Sequence, residues 1–519
     1  MPPPSIRSGA ACAALLLLLP AVASAAGSFT CSAKGGPEWR IYESEHVLLR
    51  TDLPPSKAEE MVRELELARA AVLQAMFSKP PPIPGKIHAI AFASDSEFWA
   101  VAPDHAAAYV TSIDGFTPLV VLPGTLQAST RTMLIHELTH HLSSFPLLRK
   151  PMWLNEGFAM YLESMGSVAL GARMTVGSIP EMYPLPRKRS QRVLVKDLLA
   201  WKRIDPDWVG ETVRRHYLSS WFLVHYLVNK QTAGFYEFFR RLGRAEDPRV
   251  AWKGAFPQWD PDVPDALDDL ESKLDTYARG ESFQYHEIDL KISPKVTSRP
   301  LPPSEVHTYR AILLPHGGET RPEVLRAEVD EALSEDPADP LAIAALSGLD
   351  PKADVLPLAR ASAKAYPADW RAWSLLGDAL AKGPREEFLA ARRKAVEVGP
   401  AEPVALHELA RDLAAAGEPK EAAGPALALL KLAPYSPATH ETVAQVAMAL
   451  GLCADALRAQ QRAIDTLSDR TTPETRNEKE KVLAGYAQRC AAAAAPAPAA
   501  APAPGSPPPA PPTAPAGGK

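Results

Sequence analysis

At 519 residues the chain is too long for a single hydrophobic core, and two or more domains are expected. Apolar residues at 46% and charged residues at 23% are ordinary globular values. A net charge of −5 and a pI near 6.3 give no sign of the basic balance a nucleic-acid partner favours, so none is expected. The outlier is proline, with 53 residues, many of them in one tail.

Residues 1–26 read as a signal peptide. Arg7 supplies a positive start, Ala10 to Leu19 an apolar stretch, and Ala23-Ser24-Ala25 a small-x-small cleavage site. The apolar stretch is too short to span a bilayer, and nothing later in the chain is long and apolar enough to do so. Neither Cys12 nor Cys31 sits in a good lipoprotein cleavage site. The expectation is an exported protein, periplasmic or secreted, with no stable membrane span. After cleavage Cys31, Cys453 and Cys490 remain. The last two are free to pair in an oxidising compartment, or to stay as buried thiols.

Trp39 to Thr51 reads as two short strands around Glu43-Ser44-Glu45. Lys57 to Met76 has apolar residues at helical spacing, and Lys86 to Phe92 reads as a strand after a proline cluster. Leu119 to Leu122 is a short apolar run between Pro118 and Pro123, which predicts an edge strand. Ser129 to Leu142 and Asn155 to Ser164 are helical in pattern, and helices dominate from Val195 to about Arg279. The fold class is therefore α+β, a small sheet first and a mainly helical part after it.

Residues 284–318 are broken by Pro294, Pro300, Pro302 and Pro303 and read as a linker with a little strand. Few contacts are expected to cross it, so the halves should fold as separate units. Beyond it, Pro337, Pro367, Pro400 and Pro434 recur at intervals of 30, 33 and 34 residues. Between the last two, Leu406, Leu409, Ala410, Leu413, Gly417, Ala422 and Ala426 supply large and small apolar residues for helix packing. Trp373, Leu376 and Gly377 open the preceding unit, and Val443, Ala444, Gly451 and Ala456 continue the pattern. This resembles a tetratricopeptide array, three repeats and a more degenerate first one, over residues 319–490. The resemblance implies an all-α solenoid that binds a protein partner. Residues 491–519 are almost entirely alanine, proline and glycine and are expected to be disordered.

The chemistry is concentrated in Met133-Leu134-Ile135-His136-Glu137-Leu138-Thr139-His140. Helical residues four apart lie on one face, about 6 Å along the axis, so His136 and His140 can offer both imidazoles to one ion. Glu137 is rotated off that line, where it can address a water instead. Zinc suits such a site: it takes nitrogen and oxygen ligands and makes bound water acidic near neutral pH, with Glu137 as general base. Two solvated histidines on an amphipathic helix are the plain alternative. Further on comes Trp153-Leu154-Asn155-Glu156-Gly157-Phe158-Ala159-Met160-Tyr161-Leu162-Glu163, in which fifteen residues separate Glu156 from His140.

The H-E-x-x-H and N-E-G-F-A runs closely resemble the two zinc helices of gluzincin peptidases, the thermolysin and zinc aminopeptidase group, and most closely its peptidase MA-like branch. That resemblance covers about residues 39–280 and implies a zincin-like fold over 27–283, with Zn2+ held by His136, His140 and Glu156. Glu163, two turns beyond Glu156, stands where it can accept a hydrogen bond from a ligand histidine or be an ordinary surface glutamate. Tyr217, with Ser220 three residues on, matches by spacing the aminopeptidase tyrosine that donates to the oxyanion. The plain alternative is a core tyrosine, and His216 is the next candidate for that task. Ile113 to Leu122 has no counterpart of the aminopeptidase G-A-M-E-N glutamate, which favours an endopeptidase over an exopeptidase. The implied function is an exported zinc endopeptidase acting on a peptide or protein substrate, which the Leu119–Leu122 strand could pair with. The competing reading is a catalytically weak or inactive zinc-binding scaffold working through its repeats, and a zinc hydrolase acting on a non-peptide bond is a third.

Overall fold

The computed structural model describes residues 35–494 apart from 78, 104–105, 148, 168–172, 180–184, 205–207, 209, 281–282 and 468–470. The signal segment, Cys31 and all but the first four residues of the 491–519 tail lie outside the described residues.

The strands are β1 (Arg40–Glu43), β2 (Val47–Thr51), β3 (Ile87–Phe92), β4 (Tyr109–Ser112), β5 (Pro118–Pro123), β6 (Arg173–Val176), β7 (His286–Asp289) and β8 (Thr297–Pro300). Six form a mixed sheet in the order β4-β5-β3-β2-β1-β8, with β2, β3 and β5 parallel and the others antiparallel to their neighbours. The helices of the first half are α1 (Pro55–Met76), α2 (Asp95–Val101), α3 (Ala128–Ser143), α4 (Met152–Glu163), α5 (Val195–Ala200), α6 (Gly210–Lys230), α7 (Thr232–Gly243), α8 (Pro248–Ala255) and α9 (Ala266–Arg279). Alternation along the strands splits the sheet into two apolar faces. Val47, Leu49, Ala89, Val120 and Leu122 join the core under α1, α3, α4 and α6. Ile41, Ile90, Leu119 and Val121 face the other way, against α2 and the helices that follow β8.

Two expectations change here. The proline-flanked run at Leu119–Leu122 is not an edge: β5 lies between β3 and β4, and β4 is the edge strand. The prolines occupy the first and last positions of β5, where a missing N–H interrupts little of the ladder. The second change concerns 284–318, which is no free linker. β7 pairs with β6, β8 pairs with β1, and α10 (Pro303–Leu313) buries Val306, Tyr309 and Leu313 against the sheet. Pro294 lies in the β7–β8 connection, Pro300 ends the edge strand β8, and Pro302 and Pro303 are the N-cap and first residue of α10, where a missing N–H is tolerated.

The remaining helices are α11 (Pro322–Glu335), α12 (Pro340–Leu349), α13 (Leu356–Ala365), α14 (Trp370–Ala379), α15 (Arg385–Val398), α16 (Pro403–Ala415), α17 (Pro419–Leu432), α18 (Pro437–Ala449), α19 (Cys453–Asp465) and α20 (Pro473–Ala494). Antiparallel neighbours pack as the pairs α10–α11, α14–α15, α16–α17 and α18–α19, so this half is a run of paired helices of tetratricopeptide type. Pro337, Pro367, Pro400 and Pro434 each fall two residues past the end of α11, α13, α15 and α17, where they prevent the helix from continuing. Ala410, Ala422, Ala426, Ala444 and Ala456 are buried where helices meet. Gly417 and Gly451 do a different job from close packing: both have positive φ (81° and 76°) with open space around them, so they stop α16 and α18. Cys453 and Cys490 form a disulfide, with Cα atoms 5.7 Å apart, tying α20 to α19. No described helix is long and apolar enough to cross a membrane.

The repeats also return to the first half. The tip of the β4–β5 hairpin inserts Phe116 between Leu406, Leu429 and Ala433, and Tyr435 Oη donates to the Phe116 carbonyl at 2.8 Å. The Tyr435 ring lies 4.9 Å from that of His141 and 5.4 Å from that of Phe145, at the end of α3. The two halves therefore share an interface, contrary to the separate units expected from the proline-rich segment.

Candidate metal centre

Leu134, Ile135, Leu138 and Leu142 bury one face of α3 in the core beneath the sheet. That fixes the opposite face, and His136, Glu137 and His140 are left half-buried along it. α4 runs alongside α3 and brings in Glu156, which is buried. Glu156 Oε2 lies 3.5 Å from His136 Nε2 and 3.6 Å from His140 Nε2. These separations are long for hydrogen bonds. They fit a tetrahedral ion instead, because ligand bonds of about 2.0–2.1 Å at tetrahedral angles put donor atoms roughly 3.3–3.4 Å apart. The three donor atoms lie within 4.8 Å of one another, the arrangement a metal ion needs.

The surroundings orient the donors. Glu163 Oε2 accepts from His136 Nδ1 at 2.6 Å, which leaves the Nε2 lone pair turned toward Glu156. Asn155 Nδ2 donates to Glu156 Oε1 at 2.8 Å, so Oε2 is the oxygen that faces both histidines. Charge balance favours a cation here. Burial alone would lower the His136 pKa, yet the Glu156 and Glu163 carboxylates raise it to about 10. Burial likewise opposes ionisation of Glu156, but His140 and His136 bring its pKa well below the usual carboxylate range. Two imidazoles and one carboxylate form a donor set of catalytic zinc type, and the residues fit the ion.

Glu137, one residue beyond His136, lines a small cavity with Ile87, Val110, Pro118, Val120 and His141. Tyr217 lies on α6, half-buried, its ring 6.1 Å from that of Trp201. α6 lies hard against α4: a Cβ built on Gly157 would come within 2.5 Å of the Ser220 backbone. Only glycine permits that approach, which accounts for Gly157 beside Glu156 and for the small residue at 220. Tyr217 is one turn before Ser220 on the same side of α6, next to the helix that carries Glu156. His216 is turned to other work: its Nδ1 meets the Thr212 carbonyl at 2.9 Å and its ring stacks 4.1 Å from that of Trp208.

Two contributors escaped the sequence reading. Asn155 was visible only as part of a motif, with no role. Lys150 donates to the His140 carbonyl (3.1 Å) and to the Ser143 and Ser144 hydroxyls, holding the C-terminal end of α3. Burial pushes its pKa down to about 7. A lone lysine between two prolines' worth of loop carries no periodic signal that would single it out.

Residues 133–248 match a family profile described as "Protein of unknown function (DUF1570)", a span that includes His136, Glu137, His140, Glu156, Glu163 and Tyr217. No curated protein matches the chain. Among solved structures, the MamA protein shares 13% identity at a TM-score of 0.25, covering 31% of this chain and 91% of its own. YrrB, titled a TPR protein with an unusual peptide-binding site, shares 20% identity at a TM-score of 0.25, covering 35% and 90%. Yeast Tom70 shares 14% identity at a TM-score of 0.29, covering 57% of this chain and 63% of its own. The chain thus joins a region that matches the DUF1570 profile, with a His/His/Glu group that could hold a metal ion, to a run of tetratricopeptide-like helix pairs.

Proposed function

We propose that this protein is an exported zinc-dependent endopeptidase whose repeats bind a protein. The observation that carries the reading is Glu156 Oε2 standing nearly equidistant from the Nε2 atoms of His136 and His140, with Glu137 on the adjoining cavity wall. Zinc bound there supplies Lewis acidity, making a water acidic and polarising a scissile carbonyl. Glu137 takes a proton from the attacking water at its carboxylate and delivers it to the departing amine. Tyr217 donates its phenolic hydrogen to the developing oxyanion. Glu163 keeps the His136 proton on Nδ1. The edge strand β4 offers an extended substrate a backbone to pair with, and Val110 and Val120 offer one of its side chains an apolar seat. Asp114, in the β4–β5 turn, accepts from the Phe116 and Thr117 N–H groups, so its carboxylate is committed to its own turn and not to a free amine. That supports cleavage within a chain. Export rests on residues 1–26 and agrees with the Cys453–Cys490 disulfide.

The test is metal analysis together with hydrolysis of an unstructured protein by the wild type and by Glu137→Gln. One zinc per chain, chelator-sensitive cleavage and a metal-loaded but inactive variant are expected. A folded, metal-free wild type overturns the reading. A zinc-loaded wild type as inactive as its Glu137→Gln variant hands the case to the scaffold reading.

A further inference from the structure

The cavity beside Glu137 is walled by α3, through Glu137, Leu138 and His141, by the β4–β5 hairpin, through Val110, Pro118 and Val120, and by Lys86 and Ile87 at the start of β3. Val110 and Val120 are directly paired across the hairpin, and both point to the α3 side of the sheet. The strand that carries Val110 is the sheet edge, so only β5 supports it by a ladder. Besides its packing on α3, three other attachments hold it among the described residues. Tyr109 Oη donates to the Val101 carbonyl at 2.7 Å, and Thr111 Oγ1 meets His316 Nε2 at 3.2 Å, both on the far side of the sheet from the cavity. The third is the hairpin tip, where Phe116 is 4% exposed although it lies in a turn at the surface of its own half.

What buries Phe116 is the repeat module. Leu406 on α16, Leu429 on α17 and Ala433 beyond it form the socket, and the His407 ring lies 5.0 Å away. Tyr435 closes it: its hydroxyl bonds the Phe116 carbonyl, and its ring packs on His141, itself a wall of the cavity. The turn is stiffened from within by Asp114, which accepts from the N–H groups of Phe116 (2.8 Å) and Thr117 (2.7 Å). A single repeat turn thus grips two of the three cavity walls, the hairpin through Phe116 and α3 through His141.

We infer that Phe116 and Tyr435 are positioning residues for substrate binding, and that the repeat module is a structural part of the side-chain pocket beside Glu137. The inference deepens the endopeptidase reading and rests on it for its kinetic side. Neither residue touches the metal-ligand set, so their effect should fall on how well β4 and the pocket hold the substrate. Loosening the edge strand weakens ground-state and transition-state binding together, which appears in KM and leaves kcat nearly alone.

The experiment uses the full-length protein and three variants, Phe116→Ala, Phe116→Leu and Tyr435→Phe. With a short unstructured peptide, Phe116→Ala should raise KM by roughly tenfold with kcat within about twofold, and Phe116→Leu should recover most of the loss. Tyr435→Phe, which removes one hydroxyl and should fold normally, should shift KM in the same direction by about two- to threefold. Zinc content should be unchanged in all three. Amide hydrogen exchange is the second readout: residues 109–123 should exchange about tenfold faster in Phe116→Ala, while 128–163 stay as protected as in the wild type. A Phe116→Ala protein with wild-type KM and wild-type exchange over 109–123 overturns the inference. So does a fall in kcat, zinc content and melting temperature together, which marks Phe116 as a residue of general stability. If the wild type has no peptidase activity, that reading fails by itself, and the exchange pattern still decides whether the repeats hold β4.

Discussion

Glu163 Oε2 lies 2.6 Å from Nδ1 of His136, although the two residues are on different helices and 27 positions apart. α4 spends one end on the ligand Glu156 and the other on the partner of a ligand from α3. An outer carboxylate fixes the imidazole tautomer and raises its basicity. Glu163→Ala should therefore weaken zinc binding by about 10- to 100-fold without unfolding the protein. Competition with a chromogenic chelator measures this, and unchanged affinity would make Glu163 an ordinary surface residue after all.

Gly157 has no room for a side chain against the Ser220 backbone. Gly157→Ala must push α4 away from α6, and a core forced open in this way costs typically about 1–3 kcal/mol. A denaturation midpoint equal to that of the wild type counts against this packing. The displacement also moves Glu156, so zinc affinity should drop in parallel with stability.

Tyr217→Phe tests the oxyanion assignment. The ring and its contact with Trp201 are retained, so stability should be nearly unchanged. Losing one preorganised oxyanion donor lowers kcat by roughly 100- to 1000-fold, with KM little affected. Wild-type turnover would leave Tyr217 a packing residue.

Buried histidines make the fold acid-sensitive. Burial holds His88, His225, His407 and His440 down to about 4, against an ordinary value of 6.5. Between those values the unfolded chain binds more protons than the folded one, so stability rises with pH there and is lost as pH falls from 6.5 toward 4. The loss is on the order of 1 kcal/mol per histidine per pH unit at most. Urea unfolding followed from pH 7 to pH 5 should show the midpoint falling. Its slope should lessen when His407 is replaced by glutamine.

A chain ended after Leu290 should not behave as an independent enzyme. It loses β8 and exposes β1 as an edge, and it strips Val306, Tyr309 and Leu313 from the outer face of the sheet. An unpaired edge beside uncovered apolar surface is an aggregation template. Size-exclusion chromatography should find it aggregated, whereas a soluble, zinc-loaded fragment would contradict the interface.

Local order in this protein is written in local sequence. α1, α3 and α4, and the strands β1, β2 and β3, follow from apolar spacing, and four prolines at intervals of 30 to 34 residues mark the ends of four repeat helices. The H-E-x-x-H spacing places two imidazoles on one side of α3 by helix geometry alone, whatever surrounds it. Which oxygen of Glu156 meets them, that Asn155 selects it, and that Glu163 anchors His136 depend on how α3 lies against α4. α4 is in turn seated from its other side by α6, through Gly157 meeting Ser220 across 62 residues of chain. The sheet order was hidden for a similar reason. Pro118 and Pro123 suggested an edge because periodicity reports the strand's own backbone, while its neighbours, β4 and β3, are chosen by which apolar faces can be covered at once. The largest surprise, Phe116 in its socket of repeats, involves one aromatic residue in a turn. Nothing within a dozen residues of it encodes a partner some 300 positions away, and only the closed tertiary structure brings that partner to it.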